Sequence, residues 1–184
     1  MSGSIVTRHG DGGETGLLYG GRVPKDDLHL EAYGALDEAV SALGMARALE
    51  TDAARSARIL ELQRELFTVG AELATAAGER DRLEQHFATV TGELVDRLER
   101  DTHAIEAEHP VTTFVIPGGT PSAAALDVAR TVIRRTERAA VRLHRAGGLE
   151  NTQVLRYLNR CSDLVFMLAR QAEGGRTSEK PPER

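Results

Sequence analysis

Three arginines and a glutamate, Arg130, Arg134, Glu137 and Arg138, are the first residues whose types and spacing suggest chemistry. Their spacing of i, i+4, i+7 and i+8 puts them on one face of a helix. A guanidinium presents a planar fork of N–H donors that matches phosphate oxygens two bonds at a time, so one reading is an anion site. The other is a solvated face, the ordinary fate of such a stripe. A second candidate is the polar, glycine-rich run Thr7-Arg8-His9-Gly10-Asp11-Gly12-Gly13-Glu14-Thr15-Gly16, with Lys25 downstream. Glycines let backbone N–H groups converge on an anion, and Thr7, Arg8, Thr15 and Lys25 add donors. A flexible amino terminus is the alternative, and the run is not a Walker A loop, which needs G-x-x-x-x-G-K-[ST].

Other candidates carry less. Glu106 and His109 form an E-x-x-H pair, but a di-iron bundle needs a second such pair and two more glutamates, and this one ends directly before Pro110. Cys161 falls in an apolar helical series and reads as a small core residue rather than a nucleophile. Asn159 and Asp163 lie one turn apart beside Arg160. No Ser-His-Asp or Cys-His arrangement is evident, so any catalysis would work by positioning.

These side chains need helices to hold them. Thr120 or Ser122, with Pro121 between them, suits the opening of the arginine helix, because a hydroxyl accepts from an orphan N–H of the first turn. That helix buries Leu126, Ala129, Val132, Ile133 and Ala140 and stops near Gly147-Gly148. A first helix is expected from Asp26-Asp27 to about Glu50, with Leu30, Tyr33, Leu36, Val40, Leu43 and Ala46 at steps of three and four. A second carries Ile59, Leu62, Leu66, Val69 and Leu73, its stripe widened by Leu60 and Phe67. After a break at Ala77-Gly78, a third holds Leu83, Phe87, Val90, Leu94 and Leu98 and ends by His109-Pro110. The last spans about Asn151 to Glu173 with Val154, Leu158, Cys161, Val165 and Leu168 inward. The expectation is an all-α, up-down, five-helix bundle over 25–173, preceded by a glycine-rich segment, 1–24, and followed by a disordered tail, 174–184.

The totals agree. The chain has 184 residues, enough for one domain with a sizeable core. Its net charge of -5 gives nucleic-acid binding no global support. One cysteine allows no intrachain disulfide and suggests a reducing cytoplasm; no leader or membrane span is expected.

Six segments, in order, resemble the PduO-type ATP:cob(I)alamin adenosyltransferases: T-R-H-G-D-G-G-E-T-G (7–16), G-R-V-P-K-D-D (21–27), A-Y-G-A-L-D-E (32–38), F-V-I-P-G-G (114–119), R-T-V-I-R-R-T-E-R (130–138) and Y-L-N-R-C-S-D-L-V-F (157–166). The resemblance implies a five-helix homotrimer with an active site at each subunit interface. It also implies transfer of the 5'-deoxyadenosyl group of ATP to cob(I)alamin with release of triphosphate. By motif, Thr7, Arg8, Gly10, Asp11, Thr15 and Gly16 would wrap the triphosphate, with Lys25 adding charge. Arg134 would contact the phosphates, Glu137 would hold Mg²⁺ or nucleotide, and Asn159 would bind nucleotide. Asp37 would pair with Arg130 of a neighbouring subunit, and Phe114 would lie against the lower face of the corrin. K⁺ is a further candidate ion, and a reductase and an adenosylcobalamin-dependent acceptor enzyme are the implied partners. Four positions depart from the family pattern. His9 stands for a common threonine, Ala39 for leucine, Asp127 for a frequent histidine and Cys161 for leucine.

Overall fold

The structure, a computed structural model, describes residues 6–174. The elements are β1 (Glu14–Gly16), β2 (Arg22–Pro24), α1 (Leu28–Leu49), α2 (Ala53–Ala74), α3 (Arg80–His86), α4 (Gly92–Glu108), α5 (Pro121–Arg145) and α6 (Gln153–Ala172). The domain limits expected at 1–24 and 174–184 extend beyond the described residues.

The Asp27 carboxylate caps α1, accepting from the His29 N–H at 2.9 Å. α1 runs antiparallel to α5, its most extensive neighbour, with Glu38 and Glu31 reaching Arg135 and Arg142 across the outer edge of the pair. The buried residues of α1 are mostly small: Ala32, Ala35, Ala39 and Ala46, with His29, Leu36 and Leu43. Leu30, Tyr33 and Val40, expected in the core stripe, are only half-buried. Alanines win because two long helices can approach closely only where side chains are small, and Ala39, a family departure, lies fully inside.

α2 follows its expected stripe, with Ile59, Leu62, Leu66, Val69 and Leu73 buried. Phe67 does not: it is 70% exposed. The expected third helix is two, so among the described residues the bundle has six helices rather than five. Phe87 leaves α3 in extended conformation, Val90 dips into the core, and Thr91 restarts the chain by capping α4. The cause is distant in sequence. The buried Glu72 carboxylate accepts the Val90 N–H at 2.6 Å, and the Asn151 amide donates to Glu72 at 2.8 Å and to the Val90 carbonyl at 2.9 Å. One carboxylate acceptor and one amide donor thus take the Val90 N–H and carbonyl that a continuous helix would have used.

Thr120 caps α5 by accepting the Ala123 N–H, and Pro121 occupies the first turn as expected. Ser122 instead donates to Glu50 at 2.7 Å, tying α5 to the end of α1. In α6 the expected series Val154, Leu158, Cys161, Val165 and Leu168 is buried. Within the glycine-rich amino-terminal segment, the described residues form an antiparallel hairpin with Thr15 opposite Val23. It is docked on the bundle where Leu18 exchanges backbone hydrogen bonds with Ala74 and Ala76. Among the described residues no helix is long and apolar enough to cross a membrane.

Candidate active site on the α5–α6 face

α5 and α6 are antiparallel, which sets the stripe Arg130, Arg134 and Glu137 against Asn159, Asp163 and Phe166 one turn apart on α6. The Asn159 amide donates to Glu137 Oε1 at 3.0 Å. Its oxygen accepts from Arg160 at 2.6 Å, and Arg160 in turn donates to Glu99 at 2.7 Å. That chain fixes which way the Asn159 amide points. Burial pushes the Asp163 carboxyl up, against the pull of Arg160 and Arg134, while Glu137 adds to the rise. Among the described residues Arg130, Arg134 and Arg138 make no ion pair, although α5 carries other arginines that do. Arg134 and Arg138 are exposed along an open groove that continues past Glu137 to Val141. Arg130 is half-buried, its guanidinium 5.4 Å from the centre of the Phe166 ring.

Phe114 lies elsewhere. It precedes the amino terminus of α5 and is 88% exposed. Gly118 has φ 120°, a conformation that favours glycine, and a Cβ on Gly119 would meet Glu173 Oε1 at 2.8 Å. The two glycines of Pro-Gly-Gly therefore serve a turn and a close approach respectively.

The glycine-rich segment sits at the other end of the bundle, on the carboxyl end of α2. Arg8 has φ 60°, and the turn that follows is closed by bonds from the Asp11 N–H to the Arg8 carbonyl and from the Gly13 N–H to the Gly10 carbonyl. Arg22 donates to the carbonyls of His9 and Glu14. The Lys25 ammonium lies so close to Gly10 that a Cβ there would meet it at 2.9 Å. Lys25 and Gly10 thus converge with Thr7, Arg8, Asp11, Thr15 and Gly16 on one hairpin. Among the described residues no hydrogen bond or ion pair joins this hairpin to α5. Asp37 is exposed on α1, and among the described residues no ion pair or hydrogen bond joins it to Arg130 of its own chain.

The family model described as cobalamin adenosyltransferase matches residues 5–172. The chain belongs to the cobalamin adenosyltransferase family. Among family members, the corrinoid adenosyltransferase of Mycobacterium leprae is 42% identical over 177 residues, covering 93% of this chain and 92% of its own. The Citrobacter freundii corrinoid adenosyltransferase is 38% identical over 169 residues, 92% and 94% of the two chains. Among solved structures, a Phe→His variant of the PduO-type ATP:corrinoid adenosyltransferase of Lactobacillus reuteri, complexed with cobalamin and ATP, superposes with a TM-score of 0.85. It is 35% identical and covers 93% of this chain and 91% of that one.

Within this family member, two groups beside the stripe had no role in the sequence reading. Phe166 shares the i, i+4, i+7 face of Asn159 and Asp163, so helical spacing alone could have found it. Glu99, which anchors Arg160, lies on α4 and carries no local signal.

Proposed function

We propose that this protein transfers the 5'-deoxyadenosyl group of ATP to cob(I)alamin, forming adenosylcobalamin and releasing triphosphate, at sites shared between subunits of a homotrimer. The observation that carries the reading is the α5–α6 stripe, where arginines stand unpaired beside a fixed asparagine and two carboxylates. The cobalt of cob(I)alamin is the nucleophile. Its electron pair forms the bond to C5', and the C5'–O bond breaks with its pair going to the triphosphate. Charge therefore grows on the leaving group, and Arg134, Lys25 and the N–H groups of the glycine-rich turn would stabilise it. Removing one such donor costs about 3–4 kcal/mol of transition-state energy. No side chain needs to act as base.

Asn159 and Glu137 would hold the nucleotide. Among the described residues no group of three or more His, Cys, Asp or Glu could hold a metal alone. Glu137 fits Mg²⁺ in its usual manner at phosphate sites, one carboxylate plus substrate oxygens, and the ion would supply positive charge to the departing triphosphate. Phe114, with its ring exposed, would cover the lower face of the corrin and exclude the lower axial ligand. Cobalt(II) left four-coordinate accepts an electron more readily than with a fifth ligand.

Separation supports the shared site. Among the described residues no hydrogen bond or ion pair joins the hairpin that would wrap triphosphate to its own chain's α5, and the neighbouring subunit's hairpin would complete the site. Asp37 would pair with the neighbour's Arg130. Met45, Leu49 and Val128, exposed apolar residues of α1 and α5, support a covered face beside Asp37.

The test is anaerobic: protein, MgATP and reduced cob(I)alamin, followed by absorbance and triphosphate release. Decay of the cob(I)alamin signal with stoichiometric triphosphate is expected. ATP binding without transfer would leave a holder of nucleotide or finished cofactor. Light scattering should give three times the 19.9 kDa chain mass, and Asp37→Arg should lower it.

A further inference from the structure

A buried charge cluster joins the end of α6 to the Pro-Gly-Gly loop. Arg170 and Asp127 are each 6% exposed and Glu173 is 4% exposed. Arg170 Nη2 donates to Asp127 Oδ2 at 2.5 Å, and its Nε lies 3.2 Å from Glu173 Oε2. The other Glu173 oxygen, Oε1, accepts the Gly119 N–H at 3.3 Å. The Arg170 guanidinium also stacks 5.0 Å from the Phe166 ring centre, on the ring that Arg130 touches. Thr120 adds a bond from its hydroxyl to the Ala172 carbonyl at 3.4 Å.

Burying three charges is expensive, and apolar residues of the same volume would often fold as well or better. The cluster therefore calls for a role beyond holding the helices together. Phe114 gains no hold from its own ring, which is solvent-exposed, so its aim is decided downstream, where the backbone is fixed. Pro117 restricts one dihedral, Gly118 makes the turn, and Gly119 is seated directly on Glu173. Phe166 stacks on the same arginine that holds Glu173, and Arg130 lies over that ring in turn. Loop and interface arginine are thus fastened to one anchor.

We infer that Glu173, paired with Arg170, which Asp127 holds in turn, is a positioning residue that sets the Phe114–Gly119 loop for the corrin. This rests on the adenosyltransferase reading of Phe114. Glu173 touches neither substrate; it acts through the Gly119 amide.

The test uses the full chain with Glu173→Ala, Glu173→Gln and Phe114→Ala. In the ligand-free protein, amide hydrogen exchange at Gly119 should speed at least tenfold in Glu173→Ala. With MgATP and cob(II)alamin, the four-coordinate cobalt(II) signal in electron paramagnetic resonance should fall at least fivefold in Glu173→Ala, towards that of Phe114→Ala. The KM for ATP should stay within twofold. Glu173→Gln, which keeps an oxygen for Gly119 and nearly the same shape, should recover at least half the signal; it also serves should the alanine variant not fold. Unchanged Gly119 exchange would overturn the clamp. Faster exchange with a wild-type cobalt signal would reduce the cluster to a structural staple and overturn the positioning role. A normal signal from Phe114→Ala would overturn the inference by removing the reading beneath it, and would differ from clamp failure because Gly119 exchange would still be fast.

Discussion

Arg58 and Arg134 each sit on a long helix beside other arginines, yet their surroundings are opposite. On the α2–α4 face Arg58 reaches Asp101 at 2.6 Å, Glu61 at 2.8 Å and Glu65 at 3.4 Å. Arg97 also takes Glu65, and Arg55 binds Glu50 with two nitrogens. On the α5–α6 face Arg134 and Arg138 have no carboxylate partner among the described residues. The nearest acids, Glu137 and Asp163, are engaged with asparagine or left half-solvated. Two faces that both carry arginines therefore use them differently. One face neutralises its cations and locks helices together; the other, among the described residues, leaves Arg134 and Arg138 without a carboxylate, as the proposed anion site requires.

The division breaks first at the arginines. Arg134→Ala should lower kcat/KM for transfer at least a hundredfold, matching the loss of about 3–4 kcal/mol expected for one donor to a developing anion. Its Tm should stay within about 1 °C, since no contact is lost. Arg58→Ala should do the reverse. Losing charged hydrogen bonds costs about 1.5–3 kcal/mol, roughly 5 °C in Tm for a chain of this size. Activity per folded molecule should hold. Calorimetry alongside the transfer assay checks both, and a destabilised Arg134→Ala with normal kinetics would erase the distinction.

How much of this was legible follows the same line. Helix starts are local, so Asp27, Thr120 and Pro121 announced α1 and α5. Apolar spacing is local too, and Ile59 to Leu73 and Val154 to Leu168 lie where their period puts them. The stripe on α5 was equally legible, because i, i+4 and i+7 need only one helix. Partnership was not. Whether an arginine is paired depends on acids far along the chain, Asp101 for Arg58, and no spacing rule reaches that far. The split of the third helix had the same origin, since Glu72 and Asn151 impose it from α2 and from the turn before α6. The inward face of α1 was legible in part: Leu36, Leu43 and Ala46 are buried as expected, but hydropathy weights Leu30 and Tyr33, which are half-buried, over Ala32 and Ala39, which are fully inside. The roles of Asp37, Lys25 and Phe114 came from motif resemblance and rest on proposal still.

Two asparagines sharpen the contrast at the next level. Asn151 donates to the buried Glu72 and Asn159 to the half-exposed Glu137. Burial already pushes the Glu72 carboxyl up, so Asn151→Asp would place a second acid in the same dry spot. A loss of about 3 kcal/mol is expected, read as a drop in urea midpoint. Asn159→Asp changes a half-buried position on the stripe and should leave the midpoint nearly unchanged. Its added negative charge opposes the triphosphate, so the KM for ATP should rise about tenfold, or about 1.4 kcal/mol.

Acid should weaken the paired face through Glu50. Burial raises that carboxyl, but bonds from Arg55, the Asp52 N–H and Ser122 outweigh it and bring it down to about 2 from an ordinary 4.5. A carboxyl lowered on folding contributes its stability in full above pH 4.5 and loses it as pH falls towards 2. Between those limits the wild-type Tm should fall more steeply than that of Glu50→Gln, which has no proton to take up at that site. Parallel curves would mean the Arg55 and Ser122 bonds add nothing that depends on charge.

The smallest effect belongs to Cys161, which lies on α6 between the two faces and serves neither. Burial, then the nearby Glu65, pushes its thiol up to about 12, so almost no thiolate exists at neutral pH. A thiol reagent should leave the native protein unmodified and react once it is unfolded. Cys161→Ala removes one sulfur from a fully buried position. A loss of about 1 kcal/mol, or 2–4 °C, is expected, with unchanged transfer rate. Rapid labelling of the native protein would show that α6 opens locally beneath the stripe, and the free arginines would then stand on a less rigid support than the paired ones.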